Sequence, residues 1–122
     1  RLIAIASITG KIGYPYISAY AASKHGVLGM VKVAALEVAK TGITVNAICP
    51  GYLDTEMTEK SINNIVTKTG ISFEEAVDKL KIYSPQHRLF DADEVTAAAL
   101  YLASEEARGV NGQGLSVCGG ET

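Results

Sequence analysis

The sequence predicts an α/β protein built on a parallel sheet with helical crossovers. Three observations point there. Short strand-like runs stand at residues 2–6, 43–49 and 115–118, the first of them continuously apolar, as in a buried strand of a parallel sheet. The long stretch between the first two has helical spacing instead. The resulting order is strand, helix, strand, helices, helix, strand, an alternation that belongs to parallel sheets. With 122 residues the chain fits one domain and should bury roughly two-thirds of its unfolded surface. No repeat, low-complexity segment or linker divides it, so residues 1–122 read as a single domain.

Leu2-Ile3-Ala4-Ile5-Ala6 is the first strand, followed by a loop with the turn formers Gly10, Gly13 and Pro15. A helix is predicted from about Ala19 to Lys40, where Val27, Val31, Ala34, Ala35 and Val38 recur at spacings of three and four. Gly42 is its stop signal, with a basic residue in the last turn. Ile43-Thr44-Val45-Asn46-Ala47-Ile48-Cys49 is rich in β-branched residues and breaks at Pro50-Gly51. Residues 56–82 read as two short helices around a turn at Gly70, the second opened by a capping box, Ser72-Phe73-Glu74-Glu75. Asp91-Ala92-Asp93-Glu94 opens another helix that turns Val95, Ala98, Ala99 and Leu102 inward. Gly114 leads into the last strand, Leu115-Ser116-Val117-Cys118.

Composition excludes several classes. Eleven basic and thirteen acidic residues are interspersed, with a net charge of −2, so there is no basic stripe of a nucleic-acid binder. No apolar run approaches the ~20 residues that span a bilayer, and the opening run is too short for a signal-peptide core. A cytoplasmic protein without nucleic-acid or membrane partners is expected, and an opening directly into a strand without an initiator methionine suggests an excised fragment. Cys49 and Cys118 lie in apolar, strand-like runs and read as reduced, buried thiols. His25 and His87 are isolated, and no Cys/His cluster has metal-ligand spacing, so no metal is expected. Gly109, Gly112 and Gly114 follow a helix and precede a strand, the reverse of a pyrophosphate loop. Thr9-Gly10-Lys11-Ile12-Gly13 is a similar decoy, and Asp93-Glu94 is helix capping rather than paired-carboxylate chemistry.

Tyr20 and Lys24 stand four apart at the start of the long helix and share a face. A phenol titrates near ~10 and is a reluctant acid or base at neutral pH, whereas a cation beside it favours the phenolate and makes proton exchange feasible. By itself such a pair is more often an ordinary helix-surface tyrosine and a solvated lysine. The context changes that weighting. Ser7 ends the first strand thirteen residues earlier, and Pro50-Gly51 ends the second. Ligands of α/β sheets collect outside the carboxyl ends of strands.

Four ordered motifs carry a resemblance: Ile5-Ala6-Ser7-Ile8-Thr9-Gly10, Tyr20-Ala21-Ala22-Ser23-Lys24, Val45-Asn46-Ala47-Ile48-Cys49-Pro50-Gly51, and a tail with Asp93-Glu94-Val95, Tyr101-Leu102-Ala103-Ser104 and Asn111-Gly112-Gln113 before Gly119-Gly120. In motif, order and spacing the chain resembles the short-chain dehydrogenase/reductase family, from the fifth strand of that fold to its last. The resemblance implies the C-terminal portion of a Rossmann-type, doubly wound parallel sheet, lacking the N-terminal dinucleotide-binding half with its glycine-rich turn. It also implies an NAD(P)-dependent oxidoreductase that interconverts a secondary alcohol and a ketone, of hydroxyacyl or 3-oxoacyl type. The choice between NAD and NADP is not readable.

Residue by residue, the resemblance implies that Tyr20 is the general acid/base, and that Lys24 lowers its pKa and holds the nicotinamide ribose. Ser7 orients the substrate oxygen with a hydroxyl that can donate and accept. Pro50 and Gly51 shape the wall beside the nicotinamide, while a backbone group near Leu53 and the Thr55 hydroxyl meet its carboxamide. The helices at 56–82 form a substrate lid whose Met57, Ile62 and Ile65 line the pocket. The helices at about 19–40 and 92–104 join subunits of a homo-oligomer. The alternative is a non-catalytic truncated fragment that folds and self-associates without binding cofactor.

Overall fold

The computed structural model describes residues 1–122. Three strands, β1 (Leu2–Ile5), β2 (Val45–Pro50) and β3 (Gly114–Val117), form one sheet in the order β1-β2-β3 with both pairings parallel. Leu2 lies opposite Val45 and Ile5 opposite Ile48, while Ala47 meets Gly114 and Pro50 meets Val117. Every residue of the central strand β2 is buried, so it lacks an alternating polar face, Asn46 being its one polar side chain.

The crossover from β1 to β2 is helix α1 (Ser18–Glu37). Its Val31 and Ala35 pack with Ala6, Val45, Ala47 and Cys49, flanked by Val27, Leu28, Ala34 and Val38. The apolar face expected from the spacing is the face that is buried. Helix α4 (Ala92–Ala103) packs on β2 and β3, turning Leu102 fully inward with Val95, Ala98 and Ala99 partly covered. Between β2 and α4, helices α2 (Glu56–Thr69) and α3 (Phe73–Lys81) make a satellite core from Ile62, Ala76 and Leu80.

Local signals set most element ends. Gly70 takes φ 73° and closes α2 with its N–H on the Val66 carbonyl. Ser72 and Glu75 complete their capping box, with the Ser72 hydroxyl accepting from the Glu75 N–H at 3.1 Å and the Glu75 carboxylate accepting from the Ser72 N–H at 2.9 Å. One boundary differs from expectation: α1 ends at Glu37, leaving Lys40 outside it and no basic residue in its last turn. The Val38 carbonyl explains this, because it accepts both the N–H and the hydroxyl of Thr41 and is withdrawn from helical bonding. Gly42, at φ 80°, then turns the chain toward β2.

The amides of Asn46 in β2 and Asn111 before β3 have partners, whereas the buried hydroxyls of Thr9 and Thr44 have none in the chain. Asn46, 1% exposed, donates to the Val110 carbonyl at 2.8 Å and accepts from the Gln113 N–H at 3.0 Å. Asn111 accepts from the Val45 N–H at 2.8 Å and donates to the Ala35 carbonyl at 3.0 Å. The two amides clamp the segment entering β3 to β2 and to α1.

Candidate active site

Ser7 follows β1 and caps a single 3-10 turn, Ile8–Gly10; its hydroxyl oxygen accepts from the Thr9 N–H at 3.2 Å. With that lone pair occupied, the hydroxyl hydrogen is free to be donated outward. The turn lies hard against α1. A Cβ on Gly10 would sit 2.7 Å from the Lys24 carbonyl oxygen and 3.1 Å from Leu28, so only glycine permits this approach. Gly10 is thus a contact requirement, beyond the turn former that the sequence suggested.

Tyr20 and Lys24 occupy the first turns of α1. The Lys24 ammonium lies 5.6 Å from the centre of the Tyr20 ring, within cation–π range, and donates to the Ile5 carbonyl at 3.2 Å. Lys24 therefore ties the start of α1 to the end of β1, the same strand end that carries Ser7. Tyr20 is 46% exposed, open to a ligand on the outer side.

Pro50 closes β2 and Gly51 follows, its N–H on the Val117 carbonyl. A Cβ on Gly51 would come within 3.3 Å of Cys118. The next residues are fixed by a short parallel bridge between Leu53 and Phe90, in which the Asp54 N–H donates to Phe90 and the Phe90 N–H donates to Tyr52. Leu53 itself contributes no backbone hydrogen bond to the fold. Thr55 is the N-cap of α2, yet its side chain makes no capping bond. A free peptide donor and acceptor beside a free hydroxyl suit a planar amide, which offers the complementary groups. The chemistry of this corner fits the carboxamide end of a nicotinamide.

The lid residues are divided. Ile62 is 3% exposed and packs with Ala76 and Leu80, with Ile65 beside them, whereas Met57 is 74% exposed. A cleft of about 610 Å³ runs between the start of α2 and α3, bounded by Thr55, Ile62, Phe73 and Leu89 among others. None of Ser7, Tyr20 or Lys24 lies on it. Cys49 and Cys118 are buried free thiols, and burial pushes the Cys49 thiol up. His25 is occupied structurally, its Nδ1 2.9 Å from the Ala21 carbonyl.

Sequence reading missed two arrangements. Arg88 grips Glu94 with two nitrogens, at 2.6 and 2.7 Å, and stacks 4.4 Å from the centre of Phe90. Glu94 also accepts from the Asp91 N–H at 3.0 Å, as capping requires. The second is an aromatic group of Tyr14, Tyr52 and Tyr83, tied to Glu121. Its only sequence signal was a run of tyrosines near Tyr20 and after Gly51.

A family model described as enoyl-(acyl carrier protein) reductase matches residues 1–122. The chain is 41% identical over 123 residues to D-beta-hydroxybutyrate dehydrogenase of Rhizobium meliloti, covering all of this chain and 48% of that protein. A crystal structure of actinorhodin polyketide ketoreductase with NADPH superposes with a TM-score of 0.92 at 41% identity, covering 98% of this chain and 46% of that one. A 4-hydroxyisoleucine dehydrogenase complexed with NADH superposes with a TM-score of 0.85 at 31% identity, covering 98% and 46%. The chain spans about half the length of the curated relatives it matches.

Proposed function

This chain belongs to the short-chain dehydrogenase/reductase family, and on that premise we propose that it is the catalytic portion of an oxidoreductase interconverting a secondary alcohol and a ketone. The observation that carries the reading is Lys24, which stands over Tyr20 while bonded to the end of the strand that presents Ser7. On this reading a proton-transfer phenol, a cation and a hydroxyl donor act at one end of β1.

In reduction, the Tyr20 hydroxyl gives its proton to the carbonyl oxygen; in oxidation, the phenolate takes it from the alcohol. Lys24 favours the charged form of Tyr20 during that exchange. Ser7 donates to the substrate oxygen and fixes its orientation. A nicotinamide cofactor would supply or accept the hydride when bound; solved relatives are described with NADPH or NADH. Lys24 would hold its ribose, Leu53 and Thr55 would hold its carboxamide, and Pro50 and Gly51 would form the adjoining wall.

Tyr20→Phe tests the reading: it should lower kcat/KM by about 10²–10⁴-fold while leaving NADH or NADPH binding by calorimetry intact. Unchanged turnover would remove Tyr20 from the chemistry and overturn the assignment.

Outward faces of α1 and α4 favour a homo-oligomer in either reading. Met30, Val33 and Leu36 are 61%, 56% and 79% exposed on α1, and Leu100 and Tyr101 are 67% and 50% exposed on α4. Should calorimetry find no cofactor binding at millimolar concentration, these faces would support the non-catalytic, self-associating fragment. No helix is long and apolar enough to cross a membrane.

A further inference from the structure

The cleft between α2 and α3 takes no part in the reaction proposed above and meets its residues only at Thr55. Its volume, about 610 Å³, is that of a small-molecule site. Ile62 and Thr58 are its buried floor, with Val77 and Leu89 half-buried beside them and Phe73, 41% exposed, at the edge. Asp54, Glu56 and Glu59 stand exposed at its rim.

Thr58 points to an occupant. The other hydroxyls of α2, those of Ser61, Thr67 and Thr69, each donate to the carbonyl four residues earlier. Thr58, 8% exposed, makes no such bond. Its oxygen is not sealed off as those of Thr9 and Thr44 are, so it opens on the cleft that it helps to line. A buried hydroxyl without a partner is costly, and a polar head group in the cleft would supply one.

Charge decides the nature of that head group. Three carboxylates line the cleft against one ammonium, Lys81, which leans to Asp78 at 3.8 Å. The lining therefore stays negative even with Lys81 fully charged. Arg88 donates to the Leu89 carbonyl at 3.3 Å but delivers its charge to Glu94. Lys60 and Lys79 belong to α2 and α3 and not to the lining. The carboxylates are not grouped to hold a metal ion, so the complement is a cation that brings its own donors and an apolar body.

We propose that this cleft binds a small organic cation, a primary ammonium carried on a short apolar stem. Thr58, Glu59 and Ile62 fall on one face of α2 by their spacing, and Glu56 stands one turn before Glu59. An ammonium has three donors and no acceptor, which suits two carboxylates and the Thr58 hydroxyl. The stem lies against Ile62, Val77, Leu89 and Phe73. The inference concerns binding alone and stands apart from the oxidoreductase reading.

The test is calorimetric titration of the natural full-length polypeptide carrying this chain with hexylamine, hexanol and hexanoate, which share one stem and differ in the head. At pH 7 hexylamine should bind saturably and at least roughly tenfold more tightly than hexanol, and hexanoate should not bind. Glu59→Gln and Thr58→Val should each weaken hexylamine severalfold and leave hexanol unchanged, whereas Phe73→Ala should weaken both. Hexanol binding reports in each variant that the cleft still forms. Glu74→Gln, on α3 outside the lining, is the control and should change nothing. The proposal is overturned if hexylamine binds no better than hexanol or hexanoate, if Glu59→Gln and Thr58→Val leave it unmoved, or if none of the three binds. Displacement of hexylamine by magnesium or calcium alone would also overturn it, in favour of a metal centre.

Discussion

Arg88 and Glu94 form a two-pronged ion pair that joins the segment before α4 to the first turn of that helix, with the Asp91 N–H as a third donor to the carboxylate. The Arg88 hydrogen bonds, aided by Asp91, hold the Glu94 carboxyl down at about 2, from an ordinary 4.5. Its folded pKa lies below its unfolded one, so its contribution to stability is fully present above about 4.5 and is withdrawn as pH falls toward about 2. Thermal melting of the wild type should drop across that window. Glu94→Gln should melt lower at pH 7 and show a flatter acid limb. An identical limb in both proteins would show that other carboxylates govern the acid response.

Gly10→Ala places a methyl 2.7 Å from the backbone oxygen of Lys24, an atom that cannot rotate away. A loss of about 1–3 kcal/mol is expected by urea denaturation, with a disproportionate fall in activity because the turn carries Ser7. Gly13→Ala is the control, since nothing lies within 4 Å of its Cβ. Equal effects at both positions would show that chain entropy, not the approach to α1, is what Gly10 serves.

Asn46→Ala strips partners from the Val110 carbonyl and the Gln113 N–H. Each buried group left unsatisfied costs about 1–3 kcal/mol. Hydrogen exchange should accelerate at Gln113 and along β3 before α2 and α3 are affected. Unchanged protection at β3 would show that water replaces the amide without loss.

Leu36→Glu and Leu100→Glu put charge on the outward faces of α1 and α4 without touching the buried core. If those faces join subunits, each variant should sediment as a smaller species at micromolar concentration with its melting profile otherwise retained. An unaltered sedimentation profile would move the contact elsewhere.

The fold was legible where a local signal decides the structure. Ser72 and Glu75 are three apart and cap α3 as their spacing predicts. Val31 and Ala35 recur with the helical period and are buried. The continuous run Leu2–Ala6 read as a buried strand, yet Leu2 and Ile5 are 56% and 55% exposed because β1 lies at the edge of the sheet. By contrast β2, read from its β-branched residues, is the strand buried throughout. The spacing of Tyr20 and Lys24 brought them to one side of α1. The end of α1 was misjudged because Thr41 competes for the Val38 carbonyl, a side-chain effect that hydrophobic periodicity does not register. Asn46 looked like an ordinary strand residue, since its partners at Val110 and Gln113 lie more than sixty positions away. Glu94 was read as a cap and is one, but its grip on Arg88 depends on how the chain bends at residues 88–91. Tyr14 and Glu121 had no signal in common at all. Only the tertiary fold introduces them.

That last pair has a consequence for the order in which the molecule comes into being. Tyr14 and Glu121 are 107 positions apart, and β3 joins the sheet only after β2 and both crossovers have emerged. On the ribosome, Ser7, Tyr20 and Lys24 leave the exit tunnel well before Glu121, which fastens the loop between Ser7 and Tyr20. Pairings so remote in sequence form slowly. Ser7, Tyr20 and Lys24 thus wait through the synthesis of β2, α4 and β3 before the bond between Tyr14 and Glu121 can close the loop between Ser7 and Tyr20.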